Sequence, residues 1–217
     1  MSLMKLFQQG ERRLRHLGEF LRKRYNSIWP PKQRLYVRSS KEERCIKSVQ
    51  SLINGAYNDD FLLSPVPIVT LPVHDDSMLN PKSLCPMYDT ETNRIFNLPD
   101  NHDWFESYKP LQSYLSGKSG IKIETLRNTL LFFDNLYANR EHNLTLPNWV
   151  NETIYQQLDN LFDRDYELLH QTKLQQRLRG GMLLKEIRKQ MNLIQKHKKF
   201  DAVRLYATVS KIECIKH

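Results

Sequence analysis

Residues 34–40, Arg34-Leu35-Tyr36-Val37-Arg38-Ser39-Ser40, make a short apolar run that ends in an arginine and two hydroxyls. The next residues, 41–53, carry Ile46, Val49, Leu52 and Ile53 at helical spacing. A strand that runs directly into an amphipathic helix restricts the chain to architectures that layer helices on a sheet. The junction also has a chemical meaning. An arginine at a strand end, beside short hydroxyl side chains, presents a fixed fork of donors that suits a phosphate. The amides of the following helix favour an anion in the same place, and Ser39 or Ser40 is the expected N-cap.

Around this unit the pattern is mostly helical. Residues 10–25 repeat apolar positions at Leu14, Leu17 and Leu21, with Phe20 beside them, and Gly18 within them permits close approach of another element. Pro30-Pro31 breaks the chain before the strand. Residues 65–72, with three prolines, read as a short β segment, and the polar stretch that follows reads as loop as far as Asn101. Residues 124–136 and 153–170 are expected helices. Gly180-Gly181 reads as a turn before a helix striped by Met182, Leu183, Ile187, Met191 and Ile194, and residues 203–209 read as a strand.

The 33 Lys and Arg against 24 Asp and Glu give a formal charge of +9. Most of this charge alternates with apolar residues near the two ends, so solvated helix faces account for it. No zinc-finger spacing or aromatic-interleaved basic motif indicates a nucleic-acid reader. No run of about 20 apolar residues is present to span a membrane. Cys45, Cys85 and Cys214 form no CxxC pair and their odd number gives no disulfide framework. Residues 1–9 hold too few apolar positions for a signal peptide, so the chain as written is expected in the cytosol. Two sequons, Asn143-Leu144-Thr145 and Asn151-Glu152-Thr153, fit a secretory history instead and make Asn143 and Asn151 candidate glycosylation sites.

Several stretches occur in a recognisable order: Gly10, residues 17–25, Tyr36-Val37-Arg38-Ser39-Ser40, Leu84-Cys85-Pro86-Met87-Tyr88, residues 142–149 and Arg177-Leu178-Arg179-Gly180-Gly181. Together they resemble the histidine acid phosphatases of the prostatic and lysosomal type, over residues 10 to 207. The resemblance implies an α/β fold, a mixed sheet flanked by helices with an inserted helical cap, of which the first strand and the C-terminal part are missing here. Residues 1–75 would begin the α/β domain, 76–180 would form the cap, and 181–217 would return to the α/β domain. It further implies a lysosomal or secreted enzyme, commonly a homodimer, that needs no cofactor and hydrolyses phosphate monoesters through a phosphohistidine.

That chemistry needs an imidazole nucleophile, cations around the phosphoryl oxygens and an acid for the leaving alkoxide. In the family these come from an Arg-His-Gly motif, two further arginines and a His-Asp pair. By the resemblance Arg38 is the phosphate-binding arginine after the second strand, whereas both histidine motifs are absent, so at most trace activity is expected. Arg15-His16-Leu17-Gly18 lies inside a helix and His74-Asp75 in a loop, and neither replaces them. Lys41 and Glu43 stand where the family often has Asp, Arg179 stands where it usually has Gln, and Ala138 replaces a family cysteine. The cysteine matching Cys85 pairs in the family with one beyond the sequence given, which would leave Cys85 unpaired. Two other readings remain: a non-catalytic remnant that binds phosphate or another anion at Arg38, and, ranked last, a basic module for nucleic acid or anionic surfaces.

Overall fold

The structure, a computed structural model, describes residues 3–58, 65–80, 83–197 and 203–207. In chain order the elements are α1 (Leu3–Arg24), a 3-10 turn (Lys32–Arg34), β1 (Leu35–Ser39), α2 (Glu43–Tyr57), β2 (Ile68–Val69), α3 (Pro86–Phe96), α4 (Pro99–Glu106), α5 (Lys109–Ser119), α6 (Leu126–Glu141), α7 (Glu152–His170), α8 (Lys173–His197) and β3 (Val203–Ala207). They fall into two compact units, one of residues 1–85 and 179–217 and the other of residues 86–178. From the sequence these divisions were placed at 75/76 and 180/181.

The first unit holds a three-stranded sheet in the order β2-β1-β3. β1 pairs in parallel with both neighbours, Arg38 lying opposite Val69 on one side and Tyr206 on the other. The α/β class is the one expected, and of the mixed sheet the described strands supply a parallel part. Central parallel strands are covered on both faces, and β1 accordingly buries Leu35, Val37 and Ser39 while Tyr36 and Arg38 are half-buried. Val49 and Ile53 of α2 pack on Leu35, Val37 and Val66 to form this unit's core.

α1 lies against α2 at two glycines. A Cβ built on Gly18 would meet the Leu52 carbonyl oxygen at 2.0 Å, and one on Gly55 would meet the Arg15 carbonyl oxygen at 1.9 Å. Only the absence of both side chains lets the two backbones come this close. The helix ends at Asn58, whose φ of 47° is the left-handed stop that asparagine tolerates.

The second unit is helical, with a core of Leu115, Ile123, Phe133, Leu136, Ile154, Tyr155 and Leu158. α6 and α7 start at side-chain caps. Thr125 accepts the Asn128 amide at 3.2 Å to open α6, and Asn151 accepts the Ile154 amide at 2.9 Å to open α7.

Three expectations need correction. The stretch read as loop to Asn101 contains α3 and part of α4. Their apolar pattern is sparse, with Tyr88 and Ile95 the buried hydrophobic residues of α3. Pro86 and Pro99 begin these helices, where a missing N–H costs nothing. Second, the expected turn at Gly180-Gly181 lies inside the continuous helix α8. The true start is a reciprocal cap: the Thr172 hydroxyl accepts the Gln175 amide at 3.1 Å, and the Gln175 side-chain oxygen accepts the Thr172 amide at 2.9 Å. Gln175 is fully buried, its Nε2 donating to the Leu168 carbonyl at 2.8 Å and to Thr92 Oγ1 at 3.2 Å. Third, α2 begins at Glu43 with Glu42 as N-cap, without a side-chain capping bond, so neither Ser39 nor Ser40 caps it.

Candidate functional site

In a parallel sheet, the loops leaving the C-terminal ends of adjacent strands are neighbours, and ligands of α/β proteins bind there. β1 ends at Ser39 and β2 at Val69, so the loop after β2 runs beside the β1–α2 junction. The residue it delivers is Asp76. Its Oδ1 lies 2.6 Å from Arg38 Nη2 and also accepts the Leu79 amide at 3.1 Å. Main-chain bonds fix the loop around it, from the Asp76 amide to the Pro72 carbonyl at 3.1 Å and from the Asn80 amide to the Asp76 carbonyl at 2.9 Å.

The surroundings are close to dry. The Asp76 side chain is 1% exposed and that of Arg38 16%, while Ser39 and Ser40 are fully buried. The Ser39 hydroxyl donates to the Ser40 carbonyl at 2.9 Å. Arg38 Nη1 makes only a weak contact with Met78 Sδ, at 3.9 Å. Among the described residues, Arg38 Nε, Asp76 Oδ2 and the Ser40 hydroxyl are buried without a hydrogen-bond partner. Buried polar atoms are nearly always satisfied, so the orphans on the paired Arg38 and Asp76 side chains mark a place that a ligand or ordered water can complete. The arrangement can hold an anion against the free donors of a guanidinium whose position is fixed by a carboxylate.

The sequence singles out Arg38 as a candidate, and the structure places Asp76 beside it. Sequence reasoning weighed His74-Asp75, one residue too early; both of those side chains are exposed in a turn. The available signal was topological, since a loop that follows the strand paired with β1 must pass the end of β1.

The other candidates lie elsewhere. His16 is 75% exposed on α1, 3.2 Å from Glu19. Arg177 is exposed on α8, and Arg179 donates to the Ser83 carbonyl at 3.0 Å. Lys41, Glu43 and Arg44 are exposed at the start of α2, where Lys47 lies 2.7 Å from Glu43 and holds its carboxyl below the ordinary value. Cys45 is buried and Cys85 is half-buried. Asn143 and Asn151 are both exposed, Asn143 with φ of 52°. Cys214 and His217 lie outside the described residues. Among the described residues no group of three or more His, Cys, Asp or Glu could hold a metal, and no helix is long and apolar enough to cross a membrane.

The sequence model of the histidine phosphatase superfamily, branch 2, matches residues 2–211. A protein named putative acid phosphatase 5 from Caenorhabditis elegans is 29% identical, over 86% of this chain and 46% of its own length. Human lysosomal acid phosphatase is 28% identical, over 82% of this chain and 46% of its own length. Mouse prostatic acid phosphatase is 27% identical, over 93% and 57% respectively. The chain thus spans about half the length of the curated relatives it matches. With the match running from before α1 to beyond β3, the chain belongs to branch 2 of the histidine phosphatase superfamily.

Proposed function

We propose that these residues form the phosphate-anchoring part of an acid phosphatase-like protein, with Arg38 taking the phosphoryl group of a phosphate monoester or inorganic phosphate. The observation that supports this most is the buried, orphaned Nε–H of the half-buried Arg38 at the sheet's C-terminal edge. A donor left unpaired in such a setting carries a penalty of about 1–3 kcal/mol, which an anion relieves. Hydrolysis in the complete family proceeds through a phosphohistidine. The residues given contain neither Arg-His-Gly nor, after β3, a His-Asp pair, since the sequence there reads Ala207-Thr208-Val209-Ser210. A cationic anchor without nucleophile or acid gives residual catalysis at most.

Asn143 and Asn151 suit a lysosomal or secreted setting as glycan acceptors. At Asn151 the glycan would take Nδ2 and leave Oδ1 to cap α7. The test of the function is turnover of an aryl phosphate at mildly acidic pH by the purified chain and by Arg38→Ala. Trace or no turnover is expected. Robust turnover that disappears in Arg38→Ala would show that another residue supplies the nucleophile and would overturn the expectation of residual catalysis.

A further inference from the structure

We propose that Asp76 is a positioning residue for the anion site: it aims the Arg38 guanidinium through Nη2 and weakens the anion's attraction by its own charge. This inference rests on the phosphate reading of Arg38. Asp76 has no place in the sequence motifs that pointed to the site.

A guanidinium carries five N–H groups in a planar fork. One is committed to Asp76 Oδ1 at 2.6 Å and one faces Met78 Sδ at 3.9 Å, which leaves the buried Nε–H and the remaining Nη hydrogens without a protein partner. An arginine side chain free to rotate would spend much of its time elsewhere, and binding would have to overcome that rotamer entropy. Asp76 removes this freedom in advance. It can do so because it is immobile: its carboxylate is 1% exposed, accepts from the Leu79 amide, and sits in a loop tied to Pro72 and Asn80.

The same carboxylate opposes the anion. Its Oδ2 is buried and unpartnered beside the fork, so an incoming phosphate meets a negative charge at short range in a poorly screened place. Orientation and charge are therefore separable. Asparagine at position 76 keeps an oxygen for both Arg38 and Leu79 and drops the charge. Alanine loses both. If Asp76 served only to cap its own turn, Asn would preserve that role and leave anion binding unchanged.

The experiment is titration of inorganic phosphate, at fixed ionic strength, into the wild-type chain, Arg38→Ala, Asp76→Asn and Asp76→Ala, read by calorimetry and by the NMR signal of the Arg38 Nε–H. Asp76→Asn is expected to bind roughly threefold or more tighter than wild type, since a repulsive charge is gone. Asp76→Ala is expected to bind several-fold weaker than Asp76→Asn, with the Nε–H signal broadened by rotation. Equal affinity of the Asn and Ala variants would overturn the positioning role, and an Asn variant no tighter than wild type would overturn the charge role even if Asp76→Ala does not fold. Phosphate binding that persists unchanged in Arg38→Ala would instead overturn the phosphate reading, and this inference with it.

Discussion

Gly18 on α1 and the Leu52 carbonyl on α2 leave no room for a single carbon between them, because a Cβ at Gly18 would stand 2.0 Å from that oxygen. The obstacle is backbone, which cannot swing aside as a side-chain tip can. Gly18→Ala should therefore destabilise the first unit despite alanine's better helix propensity. Overpacking of this kind costs about 1–3 kcal/mol, against a gain of about 0.5–1 kcal/mol for replacing a helical glycine. Urea unfolding would show a lower midpoint. An unchanged or raised midpoint would mean that the helices do not cross at these glycines.

Gly180 makes the opposite prediction. It lies in the interior of α8, is exposed, and a Cβ there would meet nothing within 4 Å. Gly180→Ala should stabilise the helix by about 0.5–1 kcal/mol. If residues 180 and 181 formed a turn, as their composition suggests, the same substitution would destabilise or leave stability unchanged.

The contrast between these two glycines shows how far the sequence could be read. Gly18 was legible because its neighbours kept helical spacing and nothing but close approach explained a glycine there. Gly180-Gly181 was misread because the cap that starts α8 lies eight residues earlier, in Thr172 and Gln175, and its partners Leu168 and Thr92 are not adjacent in sequence. The β1–α2 unit was visible from a local pattern, which also singled out Arg38 as a candidate. Asp76 was not, since it reaches Arg38 only through the parallel pairing of β1 with β2. Helices α3 and α4 bury few apolar side chains and so gave no periodic signal.

The Arg38–Asp76 pair should couple strongly in stability. Asp76 is buried and Arg38 half-buried, so removing one partner leaves the other poorly compensated, at a cost of up to about 3–5 kcal/mol. Arg38→Ala and Asp76→Ala should each lower the unfolding midpoint, and the double variant should be destabilised by less than the sum of the two. Additive losses would show that the two side chains are not paired in solution.

Burial pushes the phenols of Tyr57, Tyr155 and Tyr206 up from their ordinary value. Tyr57 also donates to the Pro30 carbonyl at 2.8 Å, a bond that only the neutral form can make. A raised folded-state value contributes stability that is complete below the ordinary phenol pKa of about 10 and is lost as pH rises through the higher folded value. Thermal melts should therefore be flat across pH 8 to 9 as far as these groups are concerned and fall above about pH 10. In Tyr57→Phe the alkaline fall should be shallower. A fall of equal steepness would remove Tyr57 from the account.

The most direct measurement is calorimetric titration of inorganic phosphate into the folded wild-type chain and into Arg38→Ala. The wild type should bind one phosphate weakly, in the millimolar range, and loss of a charge-assisted contact worth about 1.5–3 kcal/mol should reduce affinity in Arg38→Ala by roughly tenfold or more. Equal titration of both chains, or none by either while both remain folded, would contradict the claim that Arg38 anchors phosphate at the end of β1.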